Sequence, residues 1–264
     1  MLRQEPLTSM GSANPADVVL RRLRSLATLN DREAALVLSM GARPQSDPAG
    51  AELFGEDDPI KRPRVLLSGW ACRARVLPDG RRQIFTIVVP GDAVGLCVRA
   101  EPIAQSTTFA LTNTVTADAS ALDDAVYRHA ADYPGLASAV STASVLDEAS
   151  LLDHIVRLGR HTAYERMAHL FLELRWRLAA VGLGGEHKFP MPLTQEALAD
   201  ALGLSIVHVN RTLQQLRREG LLEVRGGWAE LYKPAVLAAA ADFRLPLPMR
   251  AEGLEIANDT GAAL

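Results

Sequence analysis

Arg211 closes the run Ile206-Val207-His208-Val209-Asn210-Arg211, in which every side chain except Val209 can share one side of a helix. A guanidinium carries a planar fork of N–H donors that fits the O6 and N7 acceptors of guanine, and an exposed aliphatic side chain fits a thymine methyl. Arg211 is therefore the candidate for a bidentate guanine contact and Val207 for a methyl contact, with Ile206, His208 and Asn210 beside them at neighbouring base edges. Thr194, Ser205 and Thr212, with nearby helix N-terminal amides, suit phosphate oxygens, and Gln214 and Arg218 extend the same face.

Chemistry of this kind needs a helix held end-on to a groove, and the flanking sequence supplies the means. Thr194 is placed to cap a helix whose apolar row is Leu198 and Leu202. Gly203 permits a left-handed turn, and Ser205 caps a second helix with Val209, Leu213 and Leu216 inward. Small Ala199 lies four residues before Gly203, and Val209 six after it. In order, these give a close contact, a turn and a core anchor for two steeply crossing helices, a helix-turn-helix. Gly220–Arg225 and Trp228–Tyr232, joined by Gly226-Gly227, read as a two-stranded wing.

Upstream the period changes. Residues 1–15 are a polar lead-in. Pro15 to Met40 suggests two short helices with Asn30-Asp31 as a cap between them. Gly41–Arg64 reads as loops around at most one short strand. The region 60–122 is rich in short strands: a hairpin around Pro78-Asp79-Gly80, then a strand over Phe109–Ala117, predicting a small roll. Residues 136–159 form a long helix with one apolar row at Val145, Ala149, Leu152 and Val156. A second row runs through Leu146, Leu151, Ile155 and Leu158. A helix apolar on two sides faces its own domain and a partner, so the first row is the expected dimer interface. Gly159 is expected to break it, and His161–Val181 forms the next helix. The fold class is α+β, divided as a roll with flanking helices (15–135), a dimerisation helix (136–159), a winged helix-turn-helix (160–245) and a tail (246–264).

Composition closes other routes. Of 264 residues, 48% are hydrophobic and 22% charged, which excludes wholesale disorder. No apolar run reaches the roughly 18–20 residues of a membrane span, and the N-terminus lacks a signal-peptide pattern, so a cytoplasmic location is expected. Cys72 and Cys97 cannot supply a thiolate cluster, and no metal site is expected. No P-loop, dinucleotide-binding glycine pattern or nucleophile elbow occurs, so no catalytic residues are assigned. A cupin-like enzyme is the alternative from another class, but no histidine precedes His129 to furnish ligands in the roll. The net charge is −3, yet over residues 205–233 five cations (Arg211, Arg217, Arg218, Arg225, Lys233) face three carboxylates (Glu219, Glu223, Glu230). That balance predicts weak attraction to random DNA, with affinity resting on base readout and dimer geometry.

Gly69-Trp70, Asp79-Gly80-Arg81-Arg82-Gln83-Ile84, Pro90-Gly91-Asp92-Ala93-Val94-Gly95, the long helix and the winged helix-turn-helix together resemble the Crp/Fnr family of bacterial transcription regulators, over about residues 15–240. The resemblance implies a cyclic-nucleotide-binding-like sensor, a homodimer, and double-stranded DNA with a two-fold-symmetric operator. It also implies contact with RNA polymerase in members that activate. It places Ile206, Val207 and Arg211 at the main base-reading positions, with Ile206 and Val207 replacing charged residues of the best-known member. Cyclic-AMP binders carry a Gly-Glu pair after the Gly-Asp loop and a later Arg-Ser/Thr-Ala. Here Leu96-Cys97 follows Gly95, and Ser106-Thr107-Thr108 has no adjacent arginine. The cysteine cluster of oxygen-sensing members is absent. The effector is thus unassigned and no cofactor is evident; a haem- or redox-responsive member using Cys72, Cys97 or a histidine is the alternative within the family.

Overall fold

The computed structural model describes residues 14–246; most of the lead-in, and the tail beyond Pro246, lie outside the described residues. Helices α1 (Asp17–Arg24) and α2 (Asp31–Ser39) come first. Asn30 caps α2: its side chain accepts from the Glu33 N–H at 2.9 Å, and the Glu33 carboxylate accepts from the Asn30 N–H at 2.8 Å.

Eight strands follow: β1 (Gln45–Asp47), β2 (Glu52–Phe54), β3 (Arg64–Ser68), β4 (Ala71–Val76), β5 (Arg82–Val88), β6 (Ala93–Val94), β7 (Thr107–Ala110) and β8 (Thr114–Asp118). They form two four-stranded antiparallel sheets in the orders β1-β8-β3-β6 and β2-β7-β4-β5, the expected roll. Gly41–Arg64 holds two short strands rather than one. The single strand expected over Phe109–Ala117 is instead two strands in different sheets. At the corner between them the Leu111 and Thr112 N–H groups both donate to the Trp70 carbonyl, at 2.8 and 3.2 Å. Gly69 makes the corner possible, because its φ is +81° and a Cβ would lie 2.2 Å from the Asn113 carbonyl oxygen.

Helix α3 (Ser120–Tyr127) leads to α4 (Pro134–Arg160), slightly longer than expected at both ends. Glu33 seats its start, accepting from the Gly135 and Leu136 N–H groups at 2.7 and 3.1 Å. Gly159 does not break α4 but lies inside it. The chain turns extended at His161, and Thr162 restarts it as the cap of α5 (Ala163–Ala180), with Glu165 completing the capping box. The stop is set by Thr-x-x-Glu rather than by glycine. The two apolar rows of α4 also differ from expectation. Leu136, Ala139, Val140 and Leu146 face inward, whereas Leu151 and Ile155, expected with Leu146, are exposed beside Val145, Leu152 and Val156.

The C-terminal part contains β9 (Lys188–Pro190), α6 (Gln195–Leu202), α7 (Ile206–Arg218), β10 (Leu222–Arg225), β11 (Trp228–Leu231) and α8 (Pro234–Ala240). The wing has three strands, ordered β10-β11-β9, because Phe189 pairs with Ala229 and buries its ring.

Helix α5 is the hub: from Met167 to Leu178 all but Arg175 are buried. Its two buried charges sit in an alternating chain. Asp92, in the turn after β5, pairs with Arg177, and Arg22 of α1 lies 3.6 Å from the same carboxylate. Glu173 pairs with Arg177 at 3.4 Å and with Arg157 of α4 at 2.8 Å. Burial opposes ionisation of Glu173, but Arg157 and Arg177 outweigh it and hold its carboxyl below the usual range. Beside this chain His169 packs edge-on to Phe243, with ring centroids 4.9 Å apart. Burial, and secondarily Arg157, pushes His154 and His169 down to about 4.

A histidine held neutral when folded destabilises the fold as pH falls from its unfolded value of about 6.5 toward 4, because the unfolded chain takes the proton first. Unfolding free energy measured in urea should therefore drop across that window, by up to about 3 kcal/mol per histidine, and His169→Gln should flatten the slope. An unchanged slope in the variant would show that His169 is not held neutral.

Candidate nucleic-acid interface

The geometry of α6 and α7 follows from their caps and turn. Thr194 Oγ1 accepts from the Ala197 N–H at 3.1 Å, and Ser205 Oγ accepts from the His208 N–H at 3.3 Å. Between them Gly203 adopts φ 61°, ψ 40°, and the Leu204 N–H closes on the Ala199 carbonyl at 3.1 Å. A Cβ on Gly203 would stand 2.9 Å from Leu158 Cδ2, a methyl that can move aside, so it is the left-handed conformation that calls for glycine. Ala199, Val209 and Leu216 are buried under the crossing, as their spacing implied.

The outward face of α7 carries Ile206, Val207, His208, Arg211, Gln214 and Arg218, all exposed, with Asn210 half-buried. Among the described residues no side-chain hydrogen bond or ion pair engages Asn210, Arg211, Gln214 or Arg218. The His208 ring folds back, with Nδ1 3.1 Å from Ser205 Oγ. Thr194 and Ser205 are exposed at the two helix N-termini. Thr212 is a correction: only 6% exposed, it lies inward with Val209 and Leu216, out of reach of a phosphate. Its position, three after Val209 and four before Leu216, places it on the core stripe.

Two features of the interface escaped the sequence. Trp228 is partly exposed on the wing, with the Lys188 ammonium 5.4 Å from its ring centroid, a contact created by the third strand. The helix pair is also tied to its own roll: Arg82 Nε and Nη2 each lie 2.8 Å from the Asp200 carboxylate, and Gln83 donates to the Asp200 carbonyl at 2.8 Å. Arg166 donates to the carbonyls of Leu158, His161 and Leu202 at 2.8, 2.9 and 3.0 Å, joining the end of α4, the hinge and the end of α6.

A cavity of about 290 Å³ lies between the roll, α1, α4 and α5, with Arg22, Arg73, Asp92, Ser106, Asp147 and Arg177 among its lining. Its guanidinium groups come from three distant elements, α1, β4 and α5. Cys97 also lines the cavity, whereas Cys72 is fully buried, and burial pushes its thiol up to about 11, far from a reactive thiolate. Among the described residues no three His, Cys, Asp or Glu side chains gather as a metal site, and no helix is long and apolar enough to cross a membrane.

A roll of two four-stranded sheets, a long helix and a winged helix-turn-helix with an open recognition face define a DNA-binding transcription regulator. Residues 165–240 match the Crp-like helix-turn-helix domain, and residues 44–123 the cyclic nucleotide-binding domain. The nitrogen fixation regulation protein FixK of Bradyrhizobium diazoefficiens is 31% identical over 193 residues, covering 73% of this chain and 79% of its own. The transcriptional activator protein FnrL of Cereibacter sphaeroides is 28% identical over 211 residues, covering 78% of this chain and 82% of its own. The structure of FixK2 from Bradyrhizobium japonicum superposes with a TM-score of 0.65 at 26% identity, over 77% of this chain and 98% of that one. The chain belongs to the Crp/Fnr family of transcription regulators.

Two outcomes test the interface. Gly203→Ala should lower unfolding free energy by about 1–2 kcal/mol in urea, the cost of a left-handed L-residue. Arg211→Ala should lose roughly 1–3 kcal/mol of discrimination between operator and random DNA in a binding titration. An equal loss on both would assign Arg211 to a phosphate.

Proposed function

We propose that the protein binds a two-fold-symmetric operator as a homodimer, reading each half-site with the exposed face of α7. The observation that carries this reading is the apolar stripe of α4. Val145, Leu152, Ile155 and Val156 are each about half exposed or more, and half-buried Ala149 lies between them. Val145, Ala149, Leu152 and Val156 follow one another at four, three and four residues, the spacing of a two-helix seam, and a second copy of the same helix is the self-complementary occupant. Paired along α4, two chains present two recognition helices, which successive major grooves accept about 34–36 Å apart.

In this reading Arg211, Ile206, Val207, His208 and Asn210 meet base edges, and Thr194, Ser205, Gln214 and Arg218 meet the flanking backbone. The roll acts as the sensor. An occupant of the cavity touches Arg177, which belongs to α5 of the DNA-binding part, so occupancy and helix placement share a residue. Contact of the bound dimer with RNA polymerase would make it an activator.

Leu152→Asp places a charge in the centre of the seam. Sedimentation should show the parent chain as a dimer and the variant as a monomer. The variant should lose at least about tenfold in affinity for a symmetric operator while keeping the parent's helix content by circular dichroism, since Leu152 is exposed in the single chain. A parent chain that stays monomeric with and without DNA would overturn the dimer.

A further inference from the structure

We propose that α7 reads the C5-methyl group of a pyrimidine in the major groove rather than the identity of the base carrying it, so that 5-methylcytosine substitutes for thymine in the operator. The inference rests on α7 being the recognition helix, as above, and adds an input: the methylation state of the DNA.

Ile206 and Val207 are 46% and 65% exposed, and they are the only exposed large hydrophobic side chains of α6 and α7. They occupy the first turn of α7, the part of a recognition helix that reaches base edges. Apolar side chains in water at a helix N-terminus gain only when something apolar covers them, and the C5-methyl is the apolar group on the major-groove edge of DNA.

Thymine and 5-methylcytosine carry that methyl in the same place and differ at position 4, where thymine offers an oxygen acceptor and cytosine an amino donor. Telling them apart takes a hydrogen-bonding side chain at the same base. α7 has no carboxylate to receive a cytosine amino group; Glu219, just past its far end, is held by Tyr164 and Gln215 at 2.8 and 3.0 Å, and Asp200 of α6 is held by Arg82. The His208 ring is drawn to Ser205. Asn210 and Arg211 stand one turn beyond Ile206 and Val207 on the same rows, over the adjoining base step. The methyl is thus read without a polar arbiter.

The test begins with an operator selected from random DNA by the full-length protein. Each thymine is then replaced by deoxyuridine, and each T·A pair by C·G or 5-methylcytosine·G, with affinity measured by titration. At one or two positions per half-site, deoxyuridine should weaken binding about fourfold, the ~0.8 kcal/mol of one buried methyl. At those positions 5-methylcytosine should bind within about twofold of thymine, and cytosine about fourfold more weakly. Val207→Ala should bring the ratio of thymine to deoxyuridine affinity at its position from about fourfold toward one, a ratio read within the variant and independent of its overall affinity. No effect of deoxyuridine at any position overturns the proposal, as does 5-methylcytosine binding as weakly as cytosine where deoxyuridine costs affinity. Both results would leave α7 as the recognition helix, whereas failure to select any sequence would overturn that reading and this inference with it.

Discussion

Helix α5 is buried along almost its whole length, and it carries a glutamate and an arginine inside. A buried charge without a counter-charge costs several kcal/mol, so each must meet an opposite partner. Glu173 finds Arg157 on α4, and Arg177 finds Asp92 at the rim of the roll. Each partner belongs to a different element, and the requirement therefore fixes α5 against both the long helix and the sensor sheet. Such pairs add little net stability over an apolar packing of the same volume; what they add is a defined placement. Apolar contacts alone would let α5 slide, but the alternating chain from Arg22 to Arg157 has only one register.

The DNA-binding pair depends on that placement at one remove. Arg166, also on α5, holds three carbonyls from α4, the hinge and α6. Asp200 takes a two-pronged contact from Arg82 of β5. With α6 fastened on one side to the hinge and on the other to the roll, α7 is free to leave its outer face without internal partners. An arginine already engaged in a salt bridge would lose that bond on meeting a base, whereas Arg211 has none to lose. The net charge of −3 does not oppose this arrangement, because over residues 205–233 five cations face three carboxylates.

The helix-turn-helix was legible because its determinants are local: a cap, a small residue, a glycine and a core anchor, all within sixteen residues from Thr194 to Val209. The hairpin at Gly80 and the cap at Asn30 were legible for the same reason. What the sequence hid is set over longer range. Phe109–Ala117 is rich in strand-forming residues, and Gly69 and the Trp70 backbone, some forty residues away, turn it from one sheet to the other. Gly159 looked like a breaker, yet a Cβ there would meet nothing within 4 Å, and the stop came from the Thr162 capping box. Thr212 was read for its hydroxyl when its place on the stripe between Val209 and Leu216 decided its burial. Arg22, Arg73 and Arg177 gather at one cavity from three elements, which no window of sequence brings together.

The same long-range contacts make the two halves of the molecule mechanically one. A rotation of α6 and α7 away from α5 and the roll must break the Arg166 bond to Leu202 and part Asp200 from Arg82. Charge-assisted bonds are worth roughly 1.5–3 kcal/mol each, so several broken at once is a transition between discrete states rather than a gradual drift. The cavity adjoins this arrangement through Arg177, whose partner Asp92 lines the same space. A molecule there that competes for either group changes the balance of the chain holding α5, and it can bias placement of α7 only by as much as its affinity differs between the two placements. The buried charges that hold α5 thus reach from the cavity wall to the long helix, and they join the roll to the part that carries the recognition face.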